Sequence, residues 1–461
     1  MKNLPPLVKR SNGWPGSALR SVRQQPLEYI PRWIEEYGDV YLLKSLLGQV
    51  AVVGRPELAR QVLADRYSHY QAKSISYSVL RILFGNGLVT SQGEFWRGQR
   101  KLIQPAFHRN RLDLLFSMMV ERVKVSAAAL APATGGAVAA CDLGPVMSSL
   151  TLDIISRAMF SSDVDGTASG VSGHIWTLNE SALRMLRNPL LFLLPRTWPF
   201  NHRQARALKE MDKVVMGIIH ARRAKPEQHN DLLTMLLSAC EEDTGKGMSD
   251  AQLRDEVMTI FVAGHETTAN AMCWLLYLVA RHPAIEERLL AEIDSQWNEG
   301  HLDSTSPARF PYVRQVIDES LRMYPSIWSI GRRCTEADEL DGYSIPVRTN
   351  VMVPIFYFHW SDRFWTNPDK FDPDRFAGAA KAATEQMIYM PFGAGPRSCI
   401  GNHFALQELV IMTVIFCRYF RFRLESGFTV EPDPLITLRP KFGMRLRIEA
   451  RNPVPVSKAS P

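Results

Sequence analysis

The chain has 461 residues, with 54 basic and 47 acidic side chains, a formal net charge of +7 and 46% apolar residues. That balance excludes a disordered or collagen-like chain, and a chain this long buries a full core without disulfide staples. Its six cysteines (Cys141, Cys240, Cys273, Cys334, Cys399 and Cys417) contain no CxxC pair, which removes a disulfide framework and the usual structural zinc sites.

At the N-terminus, Pro5, Pro6 and Pro15 interrupt every apolar run, so no secretory signal is expected and residues 1 to about 25 read as a tail. From Gly38 to Gly54, short β-like runs alternate with glycine and polar residues and predict a small sheet. From Leu112 onward, Leu, Met and Ala recur at spacings of three and four, the texture of long helices. The segments Ala131 to Ala140 and Ser161 to Gly173 are rich in small residues and read as surface loops. The basic cluster His220 to Lys225 reads as the solvated end of a helix, and no basic stripe with interleaved aromatics points to nucleic acid.

The strongest helix runs from Ser249 to Arg281, with Ser249 and Asp250 at its cap and His282-Pro283 closing it. Its middle, Ala263-Gly264-His265-Glu266-Thr267-Thr268, conflicts with helix propensity, and such conflicts mark functional sites. His265-Glu266 begins like a zinc motif, but Ala269 stands where the second histidine belongs, so zinc is excluded. The Gly245-Lys246-Gly247 stretch is an ordinary turn, and no phosphate-cradling loop is present. The longest purely apolar run, Ala271 to Ala280, is about half of what a membrane span needs. Beyond Ile330 the chain turns to Pro, Asp and aromatic residues, with strands near Leu340 to Pro354 and Leu435 to Glu449. The fold class is therefore mainly α with a minor β portion, organised as a single domain over residues 1–461.

The segment from Pro391 to Gly401 places three glycines and two prolines around Cys399, followed by a helical run from Asn402 to Phe420. A tight loop of this kind turns backbone N–H groups toward the sulfur, and a helix N-terminus with Arg397 nearby favours the thiolate. The other five cysteines read as small buried apolar residues.

At these residues the chain resembles the cytochrome P450 family. Phe392-x-x-Gly395-x-Arg397-x-Cys399-x-Gly401 looks like its haem-binding signature, and Ala263-Gly264-x-Glu266-Thr267-Thr268 like its oxygen-activation motif. Glu319-x-x-Arg322 with Arg375 resembles its structural ion-pair triad, and Trp96-x-x-x-Arg100 its haem-propionate contact. The resemblance covers residues 30 to 450 and implies a long central helix over haem b.

By that resemblance Cys399 is the axial thiolate ligand of the haem iron, with Phe392 packed near it. Thr267 and Glu266 would relay protons, and Gly264 would leave room for oxygen on the haem side. Trp96, Arg100, Arg397 and Arg332 would hold the propionates, although Arg333 stands beside Arg332 and the sequence does not choose between them. Phe261, Ala263, Ile327, Trp328 and Ile436, with the segment from Tyr77 to Leu88, would line an apolar substrate pocket.

The function implied is a haem-thiolate monooxygenase acting on a hydrophobic small molecule of terpenoid, fatty-acyl or polyketide type. Its electrons would come from NAD(P)H through a separate ferredoxin or flavodoxin and reductase. The chain ends soon after the last β segment, so no fused reductase is expected, and Arg97, Arg100 and Lys101 are candidates for the docking face. A soluble, cytoplasmic monomer without a transmembrane anchor is the accompanying expectation. Rival readings are a peroxide-using peroxygenase or isomerase on the same fold, a non-catalytic haem carrier or sensor, and a haem-free lipid-binding protein.

Overall fold

The computed structural model describes residues 3–8, 17–45, 48–71, 74–131, 137–161, 168–187, 202–225, 231–238, 247–297, 302–378 and 380–454. The helix Asp250–Arg281 forms the axis of the molecule. Its Ser249 cap accepts a hydrogen bond from the Gln252 N–H, as the sequence predicts. From Ala271 to Val279 every residue is buried, because the helices Leu143–Phe160, Pro311–Met323 and Asn402–Tyr419 pack around it. A helix apolar on all sides needs that surrounding layer. Trp274 anchors the crossing by stacking on Tyr324, with ring centroids 3.9 Å apart, and by donating its indole N–H to Leu438 O at 3.0 Å.

Two apolar cores result. The larger lies among the helices, and the smaller wraps a four-stranded sheet. That sheet orders its strands Val40–Ser45, Gly48–Val53, Asn350–Val353 and Ile330–Arg333, and its central pairing is parallel. The strand Ile330–Arg333 thereby carries Arg332 inward and Arg333 outward, since side chains alternate along a strand.

Several local expectations differ from the outcome. Ala137–Asp142 is a strand, not part of a surface loop, because it pairs antiparallel with Arg445–Ala450 in a three-stranded sheet. The helix Ala168–Arg187 begins inside the second segment read as a loop. Its glycines disfavour helix, but Val171, Ile175, Leu178 and Ala182 make one buried stripe that outweighs them. Within the predicted tail, Leu7 bridges to Leu42 and Ser17–Gln24 is helical. The cluster from His220 does end a helix, His202–Ala224, but Arg222 turns inward to Asp231 and donates to Phe160 O at 2.7 Å. Among the described residues no helix is long and apolar enough to cross a membrane.

Gly264 has a packing role that its motif does not show. A Cβ built on it would lie 2.8 Å from Ile155 Cγ1, on the helix Leu143–Phe160. The missing side chain therefore lets two helices approach.

Glu319 and Arg322 lie three apart on the helix Pro311–Met323, and both are wholly buried. Arg322 donates in a fork to both Glu319 oxygens, at 2.7 and 2.9 Å, and also to His359 O at 2.6 Å and Pro368 O at 2.8 Å. Arg375 reaches Glu319 Oε1 at 3.3 Å and donates to Thr366 O and Asn367 O, both at 2.6 Å. The cluster thus ties the irregular 359–375 segment to a helix. Removing one partner of such a pair leaves an uncompensated buried charge. Arg322→Ala should lower unfolding free energy by about 3–5 kcal/mol in urea titrations, and Arg322→Lys should rescue little because an ammonium has no planar fork.

Glu256, in the first half of the central helix, is wholly buried, and burial pushes its carboxyl pKa up to about 8. The folded state therefore keeps a proton that the unfolded chain releases above the ordinary carboxyl range. Unfolding free energy should fall by about 1 kcal/mol per unit as pH rises toward 8, then level off. Glu256→Gln should abolish that part of the fall when wild type and variant are compared at pH 5 and pH 8.5.

Candidate active site

The segment Pro391–Gly401 folds as a tight loop. Cys399 N–H donates to Phe392 O at 2.8 Å, and Gly393 and Gly395 both take a φ of 70°. Gly395 has no alternative, since a Cβ there would lie 1.9 Å from Leu63 O. The helix Asn402–Tyr419 follows at once. Cys399 is the exposed cysteine among those described; Cys273, Cys334 and Cys417 are buried and Cys141 is half-buried, while Cys240 lies outside the described residues. Surrounding protein nevertheless pushes the Cys399 thiol pKa up by desolvation, and the Gly401 backbone N–H and the Arg100 charge pull it back. The sulfur is thus accessible at the surface of the loop while the residues packed around it strip away part of its water.

A second accessible strip lies in the middle of the central helix, where Ala263 is exposed and Thr267 half-buried while His265 and Thr268 are buried. Thr267 Oγ1 donates to Ala263 O at 2.8 Å, and Thr267 O accepts from Ser326 Oγ at 2.7 Å. Glu266, one position earlier, points elsewhere. Its Oε1 accepts from Thr437 Oγ1 at 2.9 Å and its Oε2 from the Asn179 amide on the helix Ala168–Arg187. Desolvation raises its pKa, with the Thr437 bond and the more distant Arg439 acting against the rise.

Three arginines converge beside the cysteine loop. Arg397 lies over the Trp96 ring at 4.1 Å and donates to Ser91 O at 3.0 Å. Arg100, one turn beyond Trp96 on the helix Gly93–Ile103, donates to Ser398 O at 2.8 Å. Arg332 is the buried member of its pair with Arg333 and bonds to the Tyr77 hydroxyl. No acidic side chain among the described residues pairs with any of the three. Burial and the charges of Arg332 and Arg100 push the Arg397 pKa down to about 10. Arg397 Nε is buried without a partner among the described residues. Clustered cations with a spare donor form a site for an anion, and guanidinium forks suit carboxylates. These residues fit haem: an accessible cysteine thiol, a donor set suited to two carboxylates, and an accessible small-residue strip. Among the described residues no group of three His, Cys, Asp or Glu side chains could hold a metal ion directly.

The remaining positions divide. Phe261 is wholly buried and packs on Phe160 with centroids 4.9 Å apart, so it belongs to the core and not to the pocket wall. The reason is helical phase: two residues turn the side chain about 200° away from Ala263. Ile327 and Trp328 are half-buried against the smaller core, with the Trp328 indole donating to Leu435 O at 2.8 Å, and Ile436 is half-buried against the larger one. Phe392 is also half-buried on the larger core. On the helix Gly93–Ile103, Arg97 and Lys101 share the exposed face while Arg100 turns in, so Arg100 leaves the expected docking face. Sequence reasoning missed Asn179, Thr437, Ser91, Asp255 and Glu256. Each acts on a partner far along the chain, and no local spacing marks them.

The family profile described as Cytochrome P450 matches residues 11–444. A putative cytochrome P450 132 of Mycobacterium bovis is 32% identical over 86% of this chain and 86% of its own length. The cyclooctat-9-en-7-ol 5-monooxygenase of Streptomyces melanosporofaciens is 30% identical, covering 88% of this chain and 87% of that protein. Cytochrome P450 4ae1 of Drosophila melanogaster is 32% identical over 91% and 87%. With matches this long at this identity, the chain belongs to the cytochrome P450 family and is a haem-thiolate monooxygenase.

Proposed function

We propose that the protein inserts one atom of O₂ into a hydrophobic small molecule of terpenoid, fatty-acyl or polyketide type. Haem b is its cofactor, and electrons come from NAD(P)H through a separate ferredoxin or flavodoxin and its reductase. The observation that carries this reading is the placement of Arg100: it donates to Ser398 O beside the cysteine and stands in the arginine cluster. One side chain thereby links the ligand loop to the carboxylate-binding donors.

Bound haem supplies the activation of dioxygen, and the thiolate ligand favours cleavage of the O–O bond. Cys399 holds the negative charge at its sulfur, supported by the Gly401 N–H and the Arg100 guanidinium. Trp96, Arg100, Arg332 and Arg397 hold the two carboxylates and fix the ring. Thr267 Oγ1, released from Ala263 O, holds a water at the accessible strip. Glu266 serves as proton donor to that water only by turning its carboxyl from Thr437 and Asn179 toward the strip. Ala263, with Ile327, Trp328 and Ile436, keeps the neighbourhood apolar, and no charged anchor stands among them. The name of the Streptomyces relative gives a cyclic alkenol as its substrate, which supports an apolar skeleton here. Arg97 and Lys101 offer positive charge to an acidic electron donor.

Thr267→Ala tests the proton path. With surrogate ferredoxin and reductase and a hydrophobic test substrate, product should fall by about tenfold or more, while NADH consumption continues and hydrogen peroxide rises. Undiminished product, or wild-type turnover with peroxide alone as fast as with electrons, would contradict the monooxygenase path.

A further inference from the structure

Thr267 is held at both of its polar ends. Its hydroxyl donates to Ala263 O at 2.8 Å, and its own carbonyl accepts from the Ser326 hydroxyl at 2.7 Å. The first bond lies within the helix, as threonines commonly make it. The second comes from outside, and the helix itself does not need it. A helical carbonyl finds its partner four residues on, and Ser326 takes the lone pair left over.

Ser326 stands on the stretch between the helix Pro311–Met323 and the strand Ile330–Arg333, and that stretch is fixed at three points. Tyr324 stacks on Trp274, which lies two turns beyond Thr267 on the same face of the central helix. Ser326 O accepts from the Leu438 N–H at 2.9 Å, and the Trp328 indole donates to Leu435 O at 2.8 Å. The 435–438 stretch is in turn tied to the central helix by the Trp274 bond to Leu438 O. Ser326 is buried, and its hydroxyl makes no other hydrogen bond among the described residues. A buried hydroxyl is favourable only where it has an acceptor, so packing alone would be met as well by alanine. Thr151 offers a contrast. Its Oγ1 lies 2.8 Å from His265 O, but also 2.9 Å from Met147 O on its own helix, so that hydroxyl has a local acceptor.

We propose that Ser326 is a positioning residue: by gripping the Thr267 carbonyl it fixes the turn from which the Thr267 hydroxyl works. The proposal rests on the monooxygenase reading, in which that hydroxyl leaves Ala263 O to hold a water. Once the internal bond is released, the Ser326 bond is the side-chain contact that still holds Thr267. The hydroxyl then turns about its own side-chain torsion while the backbone stays in place. Without Ser326 the turn shifts and the water is held less often. Dioxygen then leaves with two electrons and two protons as hydrogen peroxide, and less product forms.

A double-mutant cycle on the haem-loaded protein, with surrogate ferredoxin and reductase, tests this. Ser326→Ala should lower the product formed per NADH consumed by about twofold or more, with hydrogen peroxide rising to match. In a Thr267→Ala background the same substitution should leave that ratio nearly unchanged, because the hydroxyl it positions is absent. A loss caused by general loosening would instead add to that of Thr267→Ala. In the carbonyl NMR spectrum of the reduced, carbon monoxide-bound protein with isotope-labelled threonine, the Thr267 signal should move upfield in Ser326→Ala as its hydrogen bond is lost. An unmoved Thr267 signal, an unchanged product ratio in Ser326→Ala, or an equal further loss in the double variant would overturn the proposal. Failure of the monooxygenase reading looks different: the wild type itself then lacks the thiolate carbonyl band and forms no product, and the proposal falls with it even if the Thr267 signal moves.

Discussion

A thiolate inside a protein survives only where donors and positive charge replace the water it has lost, and the rest of the structure depends on meeting that condition at Cys399. Burial drives the thiol toward its neutral form, while the Gly401 N–H and Arg100 oppose it. The loop reaches this geometry because Gly393 and Gly395 adopt left-handed φ and because Gly395 can rest on Leu63 O. Arg100 comes from a helix some 300 residues earlier and closes the arrangement by bonding Ser398 O. The Cys399 site is therefore a tertiary construction, even though its motif is local.

The same logic of compensated charge organises the surroundings. The arginine cluster gathers three cations with no acidic partner among the described residues, held by an indole face and backbone carbonyls. Such an arrangement is poorly suited to a free-standing core and well suited to a dicarboxylate. The Glu319–Arg322–Arg375 cluster is the opposite case. Its charges are matched within the chain, its forks are filled by carbonyls, and its task is to hold irregular backbone in place. Arginines in this protein thus divide by whether a carboxylate of the chain itself reaches them.

Much of this was legible in the sequence wherever a requirement is local. The helix from Asp250, its serine cap, the cysteine loop and the triad spacing all follow from neighbours within a few residues. Other features depend on what the chain meets after long separations, and these the sequence does not disclose. Gly264 also lets Ile155 pack against its helix, a role its motif does not show. Phe261 has the character of a pocket residue, yet Phe160 covers it. Ala137–Asp142 becomes a strand because Arg445–Ala450 offers an edge, and Glu266 finds Thr437 and Asn179 on elements with no pattern linking them. Burial resolves Arg332 from Arg333, since strand phase alone fixes alternation without saying which face is inside.

The central claim is that Cys399 presents a thiolate to haem iron. The difference spectrum of the dithionite-reduced protein with and without carbon monoxide tests it most directly. The account predicts the strongly red-shifted carbonyl band of a thiolate-ligated haem, present in the wild type and lost in Cys399→Ser. A carbonyl band like that of a histidine-ligated haem, or no haem signal after reconstitution, would contradict it.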